Sequence, residues 1–447
     1  MSNKMRLLIG GLLALVISMA LVACGSSGES SSTTASAGGE STAGSEGSSE
    51  GGSSSGEVGE NGLLPGDESV LGSPEPAKGS PVVFGMINIE TNQGADFPEL
   101  RESVEATEKY LNEYKGGIDG HPIKVDVCVT DGSPATSASC ANKLVADKPV
   151  AILGGSDIGA ASAIPIYEKA GLAYIGGMNL TPAEVTSKNS VVFNDAAQSE
   201  NADLGVYAVE TVGAKKVAVI PIGETQGEFT AETEENVGVE SAGGEVKDFP
   251  LPPTQADASS VVASALSWGP EAIILESPSQ CVAILSALKS LGSTVPVLSI
   301  DTCGTQSVID AANGAAEGLI YMSPFELLNN ESENPELARA ILTKYASSKI
   351  LVTSAMAVGM NNLINFWSTF HETSTSKLTT EYMLGRLRAG SEHENFLAEP
   401  YTCDGKAVPA YPAICNAKQY VYEIKGGKAT EIGSGYDKGA SLIKYEK

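Results

Sequence analysis

Positive charge is scarce in this chain: 28 lysines and arginines stand against 55 aspartates and glutamates in 447 residues, a formal net charge of −27. Nucleic-acid affinity comes largely from basic side chains that neutralise phosphates, so this balance argues against nucleic acid as a partner. Histidine occurs only three times and no CxxC pair is present. Zinc-type sites need such ligands at short spacing, so the sequence calls for no metal and no cofactor. Aromatic residues are 6% of the chain, and none falls between residues 25 and 80. That tract of Ser, Gly, Thr, Ala and Glu cannot bury enough apolar surface to offset the entropy of ordering it, so 24–80 is expected to be a disordered tether. As a flexible coil it would span roughly 40 Å. Walker A and HExxH motifs are missing as well. Gly52-Ser53-Ser54-Ser55-Gly56 fits the G-x-S-x-G hydrolase pattern, but with no strand before it and no helix after it the match is chance.

One long apolar run is present. Seventeen residues follow Lys4 and Arg6 and end in Leu21-Val22-Ala23, with Cys24 next. A basic start, an apolar stretch of secretory length and small residues before a cut make an export signal over 1–23, and a cysteine after the cut is the bacterial lipobox arrangement. Cys24 would then begin the mature chain and carry lipid. An uncleaved anchor is the rival reading, since the run approaches membrane-spanning length. Either way the remainder is placed on the extracytoplasmic face of the cell membrane.

Six further cysteines could pair in an oxidising compartment, with fifteen connectivities open. Proximity in the sequence favours Cys128 with Cys140, Cys281 with Cys303, and Cys403 with Cys415.

Residues 81–447 carry a net −21 once the +2 of the signal and the −8 of the tether are set aside, and their number exceeds what one core usually fills. Val82-Val83-Phe84-Gly85-Met86-Ile87 reads as a buried strand, and Leu100, Val104, Thr107 and Leu111 recur at helical spacing after it. Strand-like runs at 123–129, 150–153, 172–175, 215–220, 271–275 and 295–300 alternate with helical patterns at 134–147, 159–170, 199–212, 257–267 and 280–291. Such alternation implies an α/β fold with parallel sheets covered on both faces. The rhythm turns to helices at 335–347, 354–372 and 378–389, then to a strand at 419–424 and a hairpin turn at Lys425-Gly426-Gly427-Lys428. Leu363, Phe366, Trp367 and Phe370 make an apolar stripe that reads as core, with His371 at the helix end.

Asn112-Glu113-Tyr114-Lys115-Gly116-Gly117-Ile118-Asp119-Gly120-His121-Pro122-Ile123 resembles the first crossover of the type I extracytoplasmic substrate-binding proteins, the branched-chain amino-acid receptor group of ABC importers. Ala163–Ile175, 283–300 and 311–321 are similar to other parts of that family, and the likeness covers about 81–325 well. It implies two Rossmann-like lobes joined by three crossings, with ligand bound between them as the lobes close on a hinge. Lobe I is expected over 81–197 plus 325–402, and lobe II over 198–324 plus 403–447.

The resemblance also nominates a site. Gly154-Gly155-Ser156-Asp157-Ile158-Gly159 opens a helix whose free N–H groups and dipole suit a ligand carboxylate; the nearest counterparts of the serines that the family offers in this loop are Asp157, Ile158 and Gly159, with Ser156 beside them. Asn179, Leu180 and Thr181 match its next binding loop, although Thr181 could equally cap the following helix. Asp301 falls where the family sets an acid against the ligand's ammonium. Phe97 and Gln226 stand near positions of family tyrosines, and Glu276 and Ser277 end a strand facing the cleft.

These readings imply a monomeric receptor that catalyses nothing, captures an amino-acid-like small molecule for ABC permease subunits, and holds the membrane through lipid on Cys24. A sensor for a membrane signalling partner on the same fold is the alternative. An α/β hydrolase using Ser156 is a third.

Overall fold

A computed structural model of the chain describes residues 59, 61–92, 96–195 and 198–444, with the side chain of Gln226 outside that description. The signal sequence, Cys24, most of the Ser/Gly tract and Gln93–Ala95 also lie outside the described residues.

The first half alternates strictly: β1 (Val82–Ile89), α1 (Pro98–Tyr114), β2 (Ile123–Thr130), α2 (Pro134–Ala146), β3 (Ala151–Gly154), α3 (Ala160–Ala170), β4 (Tyr174–Gly176), α4 (Pro182–Thr186) and β5 (Ser190–Val191). These strands form one parallel sheet in the order β2-β1-β3-β4-β5. After a crossing come α5 (Gln198–Glu210), β6 (Lys216–Pro221), α6 (Thr225–Thr230), a π turn (Ala231–Glu235), α7 (Asn236–Ser241), β7 (Glu245–Asp248), α8 (Ser259–Ser267), β8 (Ala272–Glu276), α9 (Cys281–Ser290), β9 (Val297–Ile300), α10 (Gln306–Ala311) and β10 (Ile320–Ser323). The chain then returns with α11 (Glu333–Tyr345), α12 (Ser354–Phe370) and α13 (Thr380–Leu387), and ends with the hairpin β11 (Gln419–Lys425) and β12 (Lys428–Tyr436). The second sheet runs β12-β11-β10-β9-β8-β6-β7, parallel except for the hairpin.

Each sheet is buried by the pattern that its sequence announces. β1 buries seven of its eight residues, and α1 turns Leu100, Ser103, Val104, Thr107 and Leu111 inward at steps of three and four. Fully burying each leucine contributes about 1.5–3 kcal/mol. Leu363, Phe366 and Phe370 of α12 are completely buried in the core of the first sheet. Trp367 is half-buried and donates its indole N–H to the Gly117 carbonyl at 2.9 Å. Gly117 has φ +65°, and a Cβ there would overlap the His121 carbonyl, so the turn after α1 needs glycine. All three neighbour pairings form: Cys128–Cys140, Cys281–Cys303 and Cys403–Cys415. Cys403 and Cys415 join the core of the first sheet, while Tyr420, Tyr422 and Ile424 of β11 belong to that of the second.

One expectation needs correction. The tether assigned to 24–80 does not extend to residue 80, because 61–80 is packed on the folded body. Leu71 is completely buried and Leu63 nearly so. The Gly66 N–H donates to Thr343 Oγ1, Lys344 pairs with Glu68 at 2.7 Å, and the Ala77 N–H reaches the Asn112 carbonyl. Composition averaged over the tract hides Leu63 and Leu71, the two buried apolar residues that secure this strap.

Candidate ligand-binding cleft

Open parallel sheets bind ligands outside the carboxyl ends of their strands, beside the strand where the order reverses. Here the reversals fall at β1/β3 and at β6/β8. Most of the nominated residues stand on loops at such strand ends.

On the first sheet, the loop after β3 is bound tightly into the lobe. The Ile89 N–H donates to the Ser156 carbonyl, Asn88 and Ser156 form an isolated parallel bridge, and Ser156 is fully buried with no partner for its hydroxyl. Asp157 is turned inward: it accepts from Ser137 Oγ at 2.7 Å and from the Gly159 N–H at 2.9 Å, while burial raises its carboxyl above the ordinary range. It organises the entry to α3. Ile158 is 44% exposed. Phe97 packs on the first core, where its carbonyl accepts from Asn88 Nδ2.

Asn179 is buried at φ +44° and donates to Asp195 and Gln198, which tie the β4 loop to the first crossing. Leu180 beside it is half-buried. The Thr181 N–H and hydroxyl both donate to Glu184, whose other oxygen accepts from the Tyr174 hydroxyl. The threonine therefore caps α4, and burial lifts Glu184 to about 7.

On the second sheet, Ser277 is fully buried, with its hydroxyl on the Ile220 carbonyl at 3.3 Å. Glu276 is half-buried and has one oxygen without a partner. Asp301, just after β9, accepts from Thr302 and from Ser354, the first residue of α12. Burial raises its carboxyl, and these hydrogen bonds oppose the rise. The acid nominated for an ammonium group thus sits at a helix N-terminus carried by the other core, a favourable place for negative charge.

Beside Asp301 opens a cavity of about 550 Å³, lined by Ser323 and Phe325 at a chain crossing, Ser354 and Met356 of α12, and Leu63 and Leu64 of the strap. Sequence reading missed these residues, since nothing local joins a strap, a crossing and a helix start. Glu200 and Glu234 were missed too: Glu200 is buried near Asp301, and Glu234 accepts from Asn201 Nδ2.

A family model described as periplasmic binding protein matches residues 81–411. The chain belongs to the periplasmic binding protein family. Members are extracytoplasmic, take small-molecule ligands and work with ABC transporter permeases. A leucine binding protein from Thermotoga maritima is 16% identical with a TM-score of 0.64, over 79% of this chain and 98% of its own. A fatty acid ABC transporter substrate-binding protein from Thermomonospora curvata is 18% identical with a TM-score of 0.67, over 86% and 97%. A solute binding protein from Rhodopseudomonas palustris, in complex with p-hydroxybenzoic acid, is 16% identical with a TM-score of 0.64, over 80% and 98%. At these identities the likeness shows the fold alone. No curated protein sequence matches the chain. Among the described residues of this binding protein, no helix is long and apolar enough to cross a membrane.

Proposed function

We propose that this binding protein is the solute receptor of an ABC importer, monomeric and held at the extracytoplasmic membrane face by lipid on Cys24, and that it closes two lobes on an amino-acid-like molecule. Its lobe boundaries would follow the two sheets, with 81–197 and 325–402 in one lobe and 198–324 with the C-terminal hairpin in the other; Cys403 and Cys415 pack on the first core, so the expected assignment of all of 403–447 to lobe II is corrected there. The observation that carries the reading is Asp301. It is a carboxylate at a strand end of the second sheet, it meets the N-terminus of α12 from the first core, and it makes no ion pair among the described residues. A charge pair formed there with a ligand ammonium would be shielded from water and strong. The solved structures of this fold include a leucine binding protein and a hydroxybenzoate complex, so the fold leaves the solute open.

Capture without catalysis is the reading that the serine and histidine surroundings favour. Ser156, the nucleophile a hydrolase would need, is fully buried, and the three histidines sit against Ser80, Trp367 and Tyr401 instead.

A thermal-shift screen of the full chain against amino acids and small amides tests the proposal, because a solute that binds only the folded state raises its stability. At least one solute should raise the melting temperature. No shift with any solute would refute the receptor reading, and a shift only with uncharged non-amino solutes would refute the role of Asp301.

A further inference from the structure

Beside Asp301, which the amino-acid reading uses, and Glu276 at the neighbouring strand end, the helices packed on the second sheet carry further carboxylates, Glu200, Glu234 and Glu235, that it does not use. Asp301 follows β9, Glu200 stands in the first turn of α5, Glu234 and Glu235 lie in the π turn, and Glu276 ends β8. Glu200 is 3% exposed and Glu235 is fully buried. One oxygen of Glu200, both of Glu235 and one of Glu276 have no hydrogen-bond partner. Glu200 faces Asp301, whose backbone N–H it accepts from, and Glu276 feels both Glu234 and Glu235. None of the five makes an ion pair among the described residues.

Burying one ionised carboxylate without a counter-charge is costly, and a row of them compounds the cost by mutual repulsion. The carboxyls of Glu200, Glu234 and Glu276 are accordingly pushed well above their ordinary range by burial and by one another. Such a row is either filled with protons or completed by a cation. Among the described residues, no three His, Cys, Asp or Glu side chains converge as they would around a metal ion. The acids fall into two neighbourhoods, Glu200 with Asp301 and Glu276 with Glu234 and Glu235, which suits a molecule with cationic groups at separated points.

We propose that the ligand carries two or more separated cationic nitrogens, as in a basic amino acid, a diamine or a polyamine, and that Glu200 and Glu276 read the charge beyond the one taken by Asp301. The proposal rests on the receptor reading above and narrows its ligand class. The Asn201 amide donates to Glu234 at 2.7 Å and holds it beside Glu235.

The experiment is isothermal titration of the full chain with arginine, putrescine and spermidine, with leucine and glutamine as neutral-side-chain controls and calcium chloride as a metal control. Glu200→Gln and Glu276→Gln keep the shape of each side chain and remove its charge. At least one of the three cationic probes should bind ten times more tightly than leucine or glutamine, and each variant should weaken that probe tenfold or more. Thermal melts of the ligand-free variants should match or exceed wild type, because a buried unpaired acid is gone; such a melt separates lost recognition from lost folding. Tighter binding of leucine or glutamine than of every cationic probe would overturn the polycation assignment and leave the receptor reading intact. Binding of calcium alone would overturn it in favour of a metal. Unchanged affinity in both variants would overturn the roles of Glu200 and Glu276, and no binding by any probe would count against both readings.

Discussion

Asp301 and Ser354 meet across the junction of the two cores: the carboxylate after β9 accepts from the first residue of α12. The contact puts a negative group against a helix N-terminus and ties the second sheet to the first. Removing the hydroxyl leaves a half-buried acid with one donor fewer. Ser354→Ala should therefore lower stability by about 1–3 kcal/mol, measured by urea unfolding. Unchanged stability would mean that the contact is not maintained in solution.

Glu184 supplies a pH dependence. Burial raises its carboxyl from 4.5 to about 7, against the opposing pull of hydrogen bonds from Tyr174 and Thr181. The folded state thus holds the proton more tightly than the unfolded chain. The stabilisation is complete below 4.5 and is lost as pH rises through 7, a change on the order of 3 kcal/mol. Unfolding free energies between these limits should fall for wild type and fall less steeply for Glu184→Gln. Parallel slopes would contradict the assignment.

Cys303 lies two residues after Asp301, and its disulfide to Cys281 joins the start of α9 to the β9 turn. Replacing both cysteines with serine should cost about 2–4 kcal/mol by the loop-entropy estimate, and it should also weaken solute binding because the Asp301 turn loses its anchor. Lost stability with unaltered affinity would separate the bond from the site.

The strap gives a prediction about boundaries. Leu71 is completely buried against the first core, so Leu71→Ala should cost about 2–5 kcal/mol. A chain starting at residue 81, where the family match begins, should melt below the full chain. Equal melting temperatures would show that the strap contributes nothing.

Much of the fold was legible because its signals are local. The Val82–Ile87 run is buried on both faces as a parallel strand must be, Gly116 and Gly117 mark the end of α1, and each disulfide closes a short stretch of sequence. β7 was not legible: Glu-Val-Lys-Asp is an edge strand with no fully buried residue, so its polar alternation looks like loop. Asp301 could be nominated through the family resemblance. Its partner Ser354 could not, because only the tertiary fold brings a helix start to that strand end. Glu276 was nominated at its strand end, but Glu200 and Glu234 are far apart in sequence, and each alone reads as an ordinary surface acid. Thr181 and Asp157 show the reverse case, in which residues at binding-loop positions turn out to hold the loops themselves together.

The central claim is that a small solute is held between the lobes with its ammonium on Asp301. The most direct measurement is isothermal titration of the best stabilising amino-group solute into wild type and Asp301→Asn. One molecule should bind per chain, at least tenfold more weakly in the variant. Equal affinity in the two proteins would contradict the claim.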